Sequence, residues 1–263
     1  MLSKLLKYNL KDMFRFLTIF YILSFFFAIC ARIFLNIENS VLFNIIGQIF
    51  SGATISMFFN IFINNLMRFW VRFRQNLYGD EAYLTHTLPV KKSSLYSSKI
   101  ISTIITLFAS FVVITLSLFV AYYSKENLEI LKSMILPLTS FVDMKIIPII
   151  IAFIFILFLE FLNILQCGFT GIILGHRMNN GKIGFSVLFG FISYTLSQLI
   201  VLFVLFIFAL LNNDFMNLFV TESVLSPQTL KLLIIFAIII YTVISVLIYF
   251  VNVKLFNKGV NVD

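Results

Sequence analysis

Ile146-IPIIIAFIFILFLEFLNILQCGFTGIIL-Gly175 carries a single charged residue, Glu160. A straight helix of this length would extend about 45 Å, and the hydrocarbon core of a bilayer is only about 30 Å thick. The run is therefore long enough to span. It must tilt, protrude, or bend near Gly168, Gly171 and Gly175. Five more stretches pass the same length test: Phe16–Leu35, Val41–Met67, Ile100–Tyr123, Gly184–Leu211 and Leu230–Val253. Apolar residues make up 61% of the 263 and charged ones 11%, against about 45–50% and about 25% in soluble domains. That balance excludes a soluble globular protein. The pattern predicts an all-α, polytopic membrane protein with six spans in a single transmembrane domain.

Residues 1–15 place Lys4, Lys7, Lys11 and Arg15 between Leu2, Leu5, Leu6, Leu10, Met13 and Phe14. Apolar positions at intervals of three and four make one helix face greasy and the other basic. This predicts an N-terminal interfacial helix ahead of the first span.

Charge orients the bundle. With the N-terminus inside, the inner faces hold fourteen basic residues: those four, then Arg68, Arg72, Arg74, Lys91, Lys92, Lys99, Arg177, Lys182, Lys254 and Lys258. The outer faces hold five: Arg32, Lys125, Lys132, Lys145 and Lys231. Acids lean outward, with Glu38, Glu126, Glu129, Asp143, Asp214 and Glu222 on that side. The asymmetry predicts both termini in the cytoplasm. It also explains the net charge of +8 without invoking nucleic acid. The outer loops Ser124–Lys145 and Asn212–Thr229 are rich enough in apolar residues to form short interfacial helices.

Polar residues inside the spans are the next candidates. Asn44, Gln48, Gly52, Ser56, Asn60 and Asn64 follow at steps of four along the second span, either packing against other helices or lining a hydrated path. Glu160 is the one acid deep in a span, with Asn163 one turn away as a hydrogen-bond partner. Asn60, Asn64, Glu160 and Asn163 are thus the candidate substrate path. Gly171 and Gly175 have the small-xxx-small spacing that lets helices approach closely, and Ser186, Gly190, Ser193 and Ser197 form a matching stripe on the fifth span. Cys30 and Cys167 read as buried small hydrophobes.

Catalytic chemistry is not legible. His86 and His176 lie in separate loops, so no metal site is expected. Gly181-Lys182-Ile183 lacks the earlier glycine and the Ser/Thr of a phosphate-binding loop. The chain is expected to be no enzyme and to carry no cofactor of its own.

The stretch between the second and third spans, within the 68–99 cytoplasmic loop, is different. Leu77-YGDEAYLTHTLPVK-Lys92 is neither continuously apolar nor a bare turn. It predicts a short amphipathic helix, capped by Asp80 and stopped by Pro89. Tyr78–Val90, followed by Lys91, Lys92 and Ser98-Lys99, resembles the first cytoplasmic loop of permease subunits of type-2 ABC exporters from low-GC Gram-positive bacteria. The ending Lys254–Val262 is similar to that of many such subunits. The resemblance implies a plasma-membrane exporter of an amphipathic substrate: an antimicrobial peptide, an antibiotic or a lipid-like molecule. It implies an ABC ATPase subunit as partner, carrying ATP and magnesium, and a second permease copy or a homologous permease. Asp80, Glu81, Tyr83, Leu84, Thr85, Thr87 and Leu88 would then form the ATPase-coupling surface. The rival expectation is a stand-alone, proton-coupled secondary transporter using Glu160.

Overall fold

A computed structural model describes residues 2–37, 40–142, 145–212, 215–216 and 226–258. Helices account for nearly all of them, and no strand occurs among the described residues. In chain order they are α1 (Leu2–Leu35), α2 (Val41–Leu77), α3 (Ala82–Thr87), α4 (Lys92–Tyr122), α5 (Lys125–Val142), α6 (Ile146–Gly175), α7 (Lys182–Leu211) and α8 (Pro227–Asn257). Six of these, all but α3 and α5, are long and apolar enough to cross a membrane.

The spans read from hydropathy are all present, but several helices outrun them. α1 is continuous from Leu2, so the basic opening stretch is not a separate interfacial element. Nothing in Arg15-Phe16-Leu17 breaks a helix, and Met13 and Leu17 are buried on one continuous face. α2 continues ten residues past Met67, and α4 starts at Lys92 rather than Ile100. Charged residues end the apolar window without ending the helix, because a helix needs only backbone hydrogen bonds to continue. The loop of residues 68–99 thus shrinks to Tyr78–Lys91 around α3.

The chain divides into two compact units, Met1–Glu129 and Ile130–Asp263. In the first, α1, α2 and α4 pack against one another and α3 lies on α2. At one end Phe34 stacks on Phe50 with centroids 5.5 Å apart, and Arg32 Nη1 donates to Val120 O at 3.2 Å. A polar seam runs along α4: Tyr21 Oη and Asn65 Nδ2 both reach Ser110 Oγ at 2.8 Å, and Ser24 Oγ bonds Ser117 Oγ at 3.0 Å. In the second unit α6 packs on α7 and α8. Ser226 caps α8 by accepting from Thr229 N at 3.2 Å, with Pro227 in the first turn, a favourable pairing of cap and proline. Between α6 and α7 the chain turns at Gly181, whose φ of 65° lies where glycine carries no steric cost.

Of the two expected outer helices, the first exists as α5, an 18-residue helix containing Pro137. The second falls mostly outside the described residues, as do Glu38, Asp143, Asp214, Glu222 and the ending Gly259–Val262.

Candidate functional site: a braced surface helix and an intramembrane carboxylate

α3 is built around Ala82, fully buried, with Tyr83 and Leu84 pointing out at 64% and 75% exposure. Leu88, just past its end, is 43% exposed. Beside it Leu77 and three aromatics, Phe73, Tyr78 and Tyr96, are all buried, and the Phe73 and Tyr96 rings meet edge to face at 6.1 Å. His86 Nε2 pairs with Leu77 O at 3.0 Å. Short as it is, the helix could not persist alone. Tertiary contacts hold it.

Asp80 is not the cap. It is exposed, and Glu81 occupies the N-cap position in a helical conformation without capping through its side chain. Glu81 is drawn elsewhere because two donors on α2 face it. Arg72 Nη1 donates to Glu81 Oε1 at 3.1 Å, and Asn76 Nδ2 donates to Glu81 Oε2. Arg72 also reaches α1, with Nε donating to Asp12 Oδ2 at 2.7 Å. Arg68 Nη2 pairs with Asp12 Oδ1 at 3.2 Å and lies 4.9 Å from the Phe16 ring centroid.

Lys99 closes the group from α4. Its Nζ donates to Asn9 Oδ1 at 2.7 Å and to Asn76 Oδ1 at 3.2 Å, and Asn9 Nδ2 donates to Ser98 Oγ at 3.2 Å. One polar knot therefore ties α3 to α1, α2 and α4. Among the expected surface residues, Tyr83, Leu84, Thr87 and Leu88 are exposed. Thr85 Oγ1 turns back to Glu81 O at 3.0 Å, and Glu81 is as much brace as surface.

Sequence reasoning missed the brace: Asn9, Asp12, Asn76 and the role of Arg72 and Lys99. One signal was available. Asp12 is the sole acid before Glu38 in a basic stretch, and Arg68 and Arg72 are spaced four apart to face one partner.

In the second unit Glu160 accepts from Tyr194 Oη at 2.7 Å and from Gln198 Nε2 at 2.9 Å, both on α7. Tyr241 Oη of α8 donates to Gln198 Oε1 at 3.4 Å. The expected Glu160–Asn163 bond is replaced, because Asn163 faces Ser197. Asn163 Nδ2 donates to Ser197 Oγ at 2.8 Å, and Cys167 Sγ lies 3.5 Å from Asn163 Oδ1. Cys30 and Cys167 are both free thiols. Asn60 and Asn64 donate to their own helix, at Ser56 O and Asn60 O. They belong to the first unit, and Glu160 and Asn163 to the second.

The glycine stripe meets its match. A methyl at Gly171 would overlap Gly190 N and Ser186 O, and one at Gly175 would overlap the Ser186 backbone. Backbone-to-backbone packing of α6 on α7 leaves no room for a side chain.

Compared with protein-family models, curated proteins and solved structures, the chain matches none. Its fold and sequence define a class: a multi-pass, all-helical membrane protein.

Proposed function

We propose that this chain is the transmembrane permease subunit of an ATP-driven ABC exporter. It moves an amphipathic substrate out of the cell and is driven by a separate ATPase subunit that docks on α3. The plasma membrane holds it with both termini cytoplasmic, as one half of a pore completed by a second permease. One observation carries the reading: two large side chains, Leu84 and Tyr83, are 75% and 64% exposed on a helix that the polar knot links to three long helices. Exposed apolar residues on a braced element are what a protein partner would grip. Through the Glu81–Arg72–Asp12 and Asn76–Lys99–Asn9 links, a push on α3 reaches α1, α2 and α4 together. Ligand-driven closure of the partner does work on the bundle only if the contact differs between its two states.

The test is capture of an ATPase subunit by the purified chain in detergent. Leu84→Asp and Tyr83→Ala alter exposed side chains and leave the fold intact, so both should lose capture. Deletion of Asp80–Leu88 should do the same. Undiminished capture by all three variants removes the reading.

A second reading is favoured by the Glu160 group. There a carboxylate in an apolar helix is met by neutral hydroxyl and amide donors, and no Lys or Arg forms an ion pair with it among the described residues. Such a group suits a proton site in a secondary transporter. That reading expects transport without any ATPase and its loss in Glu160→Gln.

A further inference from the structure

The knot beneath α3 does not balance its charge. Three cations, Arg68, Arg72 and Lys99, meet two carboxylates, Asp12 and Glu81. Both carboxylates are paired with arginine: Asp12 with Arg68 and Arg72, Glu81 with Arg72. Lys99 is the one left over. Its ammonium, on a residue 9% exposed, has three N–H groups and among the described residues touches two acceptors, the neutral amide oxygens of Asn9 and Asn76. Among the described residues no carboxylate lies within ion-pair distance of it. Asp12 and Glu81 favour its charge only from a distance, against burial and the nearby Arg72, and a buried ammonium with no carboxylate in contact is expensive.

Next to it is a cavity of about 90 Å³, lined by Tyr8, Asn76, Leu88, Leu95, Ser98 and Lys99 among others. Tyr8, 60% exposed, and Leu88, 43% exposed, lie at its outer edge. The floor is cationic and hydrogen-bonding; the rim is apolar. On the same helix as Tyr8, Lys4, Lys7 and Lys11 are exposed. The charged knot lies where the apolar windows of α1, α2 and α4 give way to charged residues, as expected of chain at the level of lipid headgroups.

We propose that this cavity binds the phosphate of an anionic phospholipid, with Lys99 as its counter-ion and the rim of Tyr8 and Leu88 against the start of the acyl chains. Basic pockets between helix ends are suited to acidic headgroups, and the apolar rim gives a free phosphate nothing to gain. The bound lipid would bridge α1, α4 and the segment after α3. It would neutralise the knot and hold α3 in place. This site stands whether or not α3 docks an ATPase.

The full chain, purified in a neutral maltoside detergent, is titrated with phosphatidylglycerol or phosphatidylcholine and examined by native mass spectrometry. One phosphatidylglycerol should be retained with about fivefold preference or more, the value of one favourable Lys contact at the membrane surface. Lys99→Met should abolish the preference, Lys99→Arg should keep it, and Lys4→Gln with Lys7→Gln should leave that one lipid in place. Should Lys99→Met fail to fold, Tyr8→Asp, an exposed change, places a negative charge at the edge and should expel the lipid. Equal retention of the two lipids overturns the site, as does undiminished retention in Lys99→Met or, where that variant is lost, in Tyr8→Asp. Displacement of the lipid by millimolar glycerol 3-phosphate or inorganic phosphate would show a free-anion site and overturn the lipid assignment.

Discussion

The knot under α3 and the α6–α7 seam solve the same problem with opposite chemistry. Both hold together long apolar helices, between which a bilayer would supply no hydrophobic driving force. In the first unit, α1, α2, α3 and α4 meet at one end through arginine, aspartate, glutamate, lysine and asparagine, at distances of 2.7–3.2 Å. In the second unit, α6 and α7 meet through Gly171, Gly175, Ser186 and Gly190 with backbones in near contact. A charged joint can be loosened one bond at a time and tolerates changes in its partners' reach. A backbone seam has no slack. The first unit is thus held at its charged end by side-chain bonds, and the second by direct backbone contact.

The sharpest way to break this contrast is Gly171→Leu. The side chain would meet backbone on α7, where nothing flexible can give way, and should cost about 3 kcal/mol or more. Thermal unfolding in detergent, followed by size exclusion, should show loss of the folded species. Survival of Gly171→Leu with wild-type stability would show that the seam can open.

Arg72→Ala comes next. It leaves Glu81 with Asn76 alone and Asp12 with Arg68 alone, but side chains 16–44% exposed are partly screened. The expected cost is about 1–2 kcal/mol, below the figure for a fully buried pair. Hydrogen exchange at Ala82–Thr87 should speed up well before global unfolding, which would separate bracing of α3 from bulk stability. Exchange rates unchanged from wild type would mean that packing alone holds α3.

Asn163→Ala removes a hydrogen bond across the α6–α7 seam and should cost only about 0.6 kcal/mol, the typical value for such bonds within membranes. A cost several times larger would move the seam's strength from close packing to hydrogen bonding. The smallest effect is expected for Gly52→Ala, where an added methyl meets nothing within 4 Å. It should leave melting unchanged or raise stability by up to about 1 kcal/mol through helix propensity. Set beside Gly171→Leu, it separates glycines that sit in a seam from glycines that merely sit in a helix.

Length and hydropathy alone determined the six long helices and the all-α class, since a bilayer demands runs of about 20 apolar residues whose backbone bonds are satisfied internally. Spacing alone also matched Gly171 and Gly175 to the serine and glycine stripe on α7, because small residues at steps of four mark one helix face. The short helix at Ala82–Thr87 was legible too, although its start was assigned to the wrong acid. Only the tertiary structure decided that Glu81 braces rather than caps, that Asp12 joins Arg68 and Arg72, and that Lys99 sits buried between two asparagines. Those partners lie up to 90 residues apart. A local pattern records which face of a helix is polar, but which distant side chain meets that face is fixed by packing.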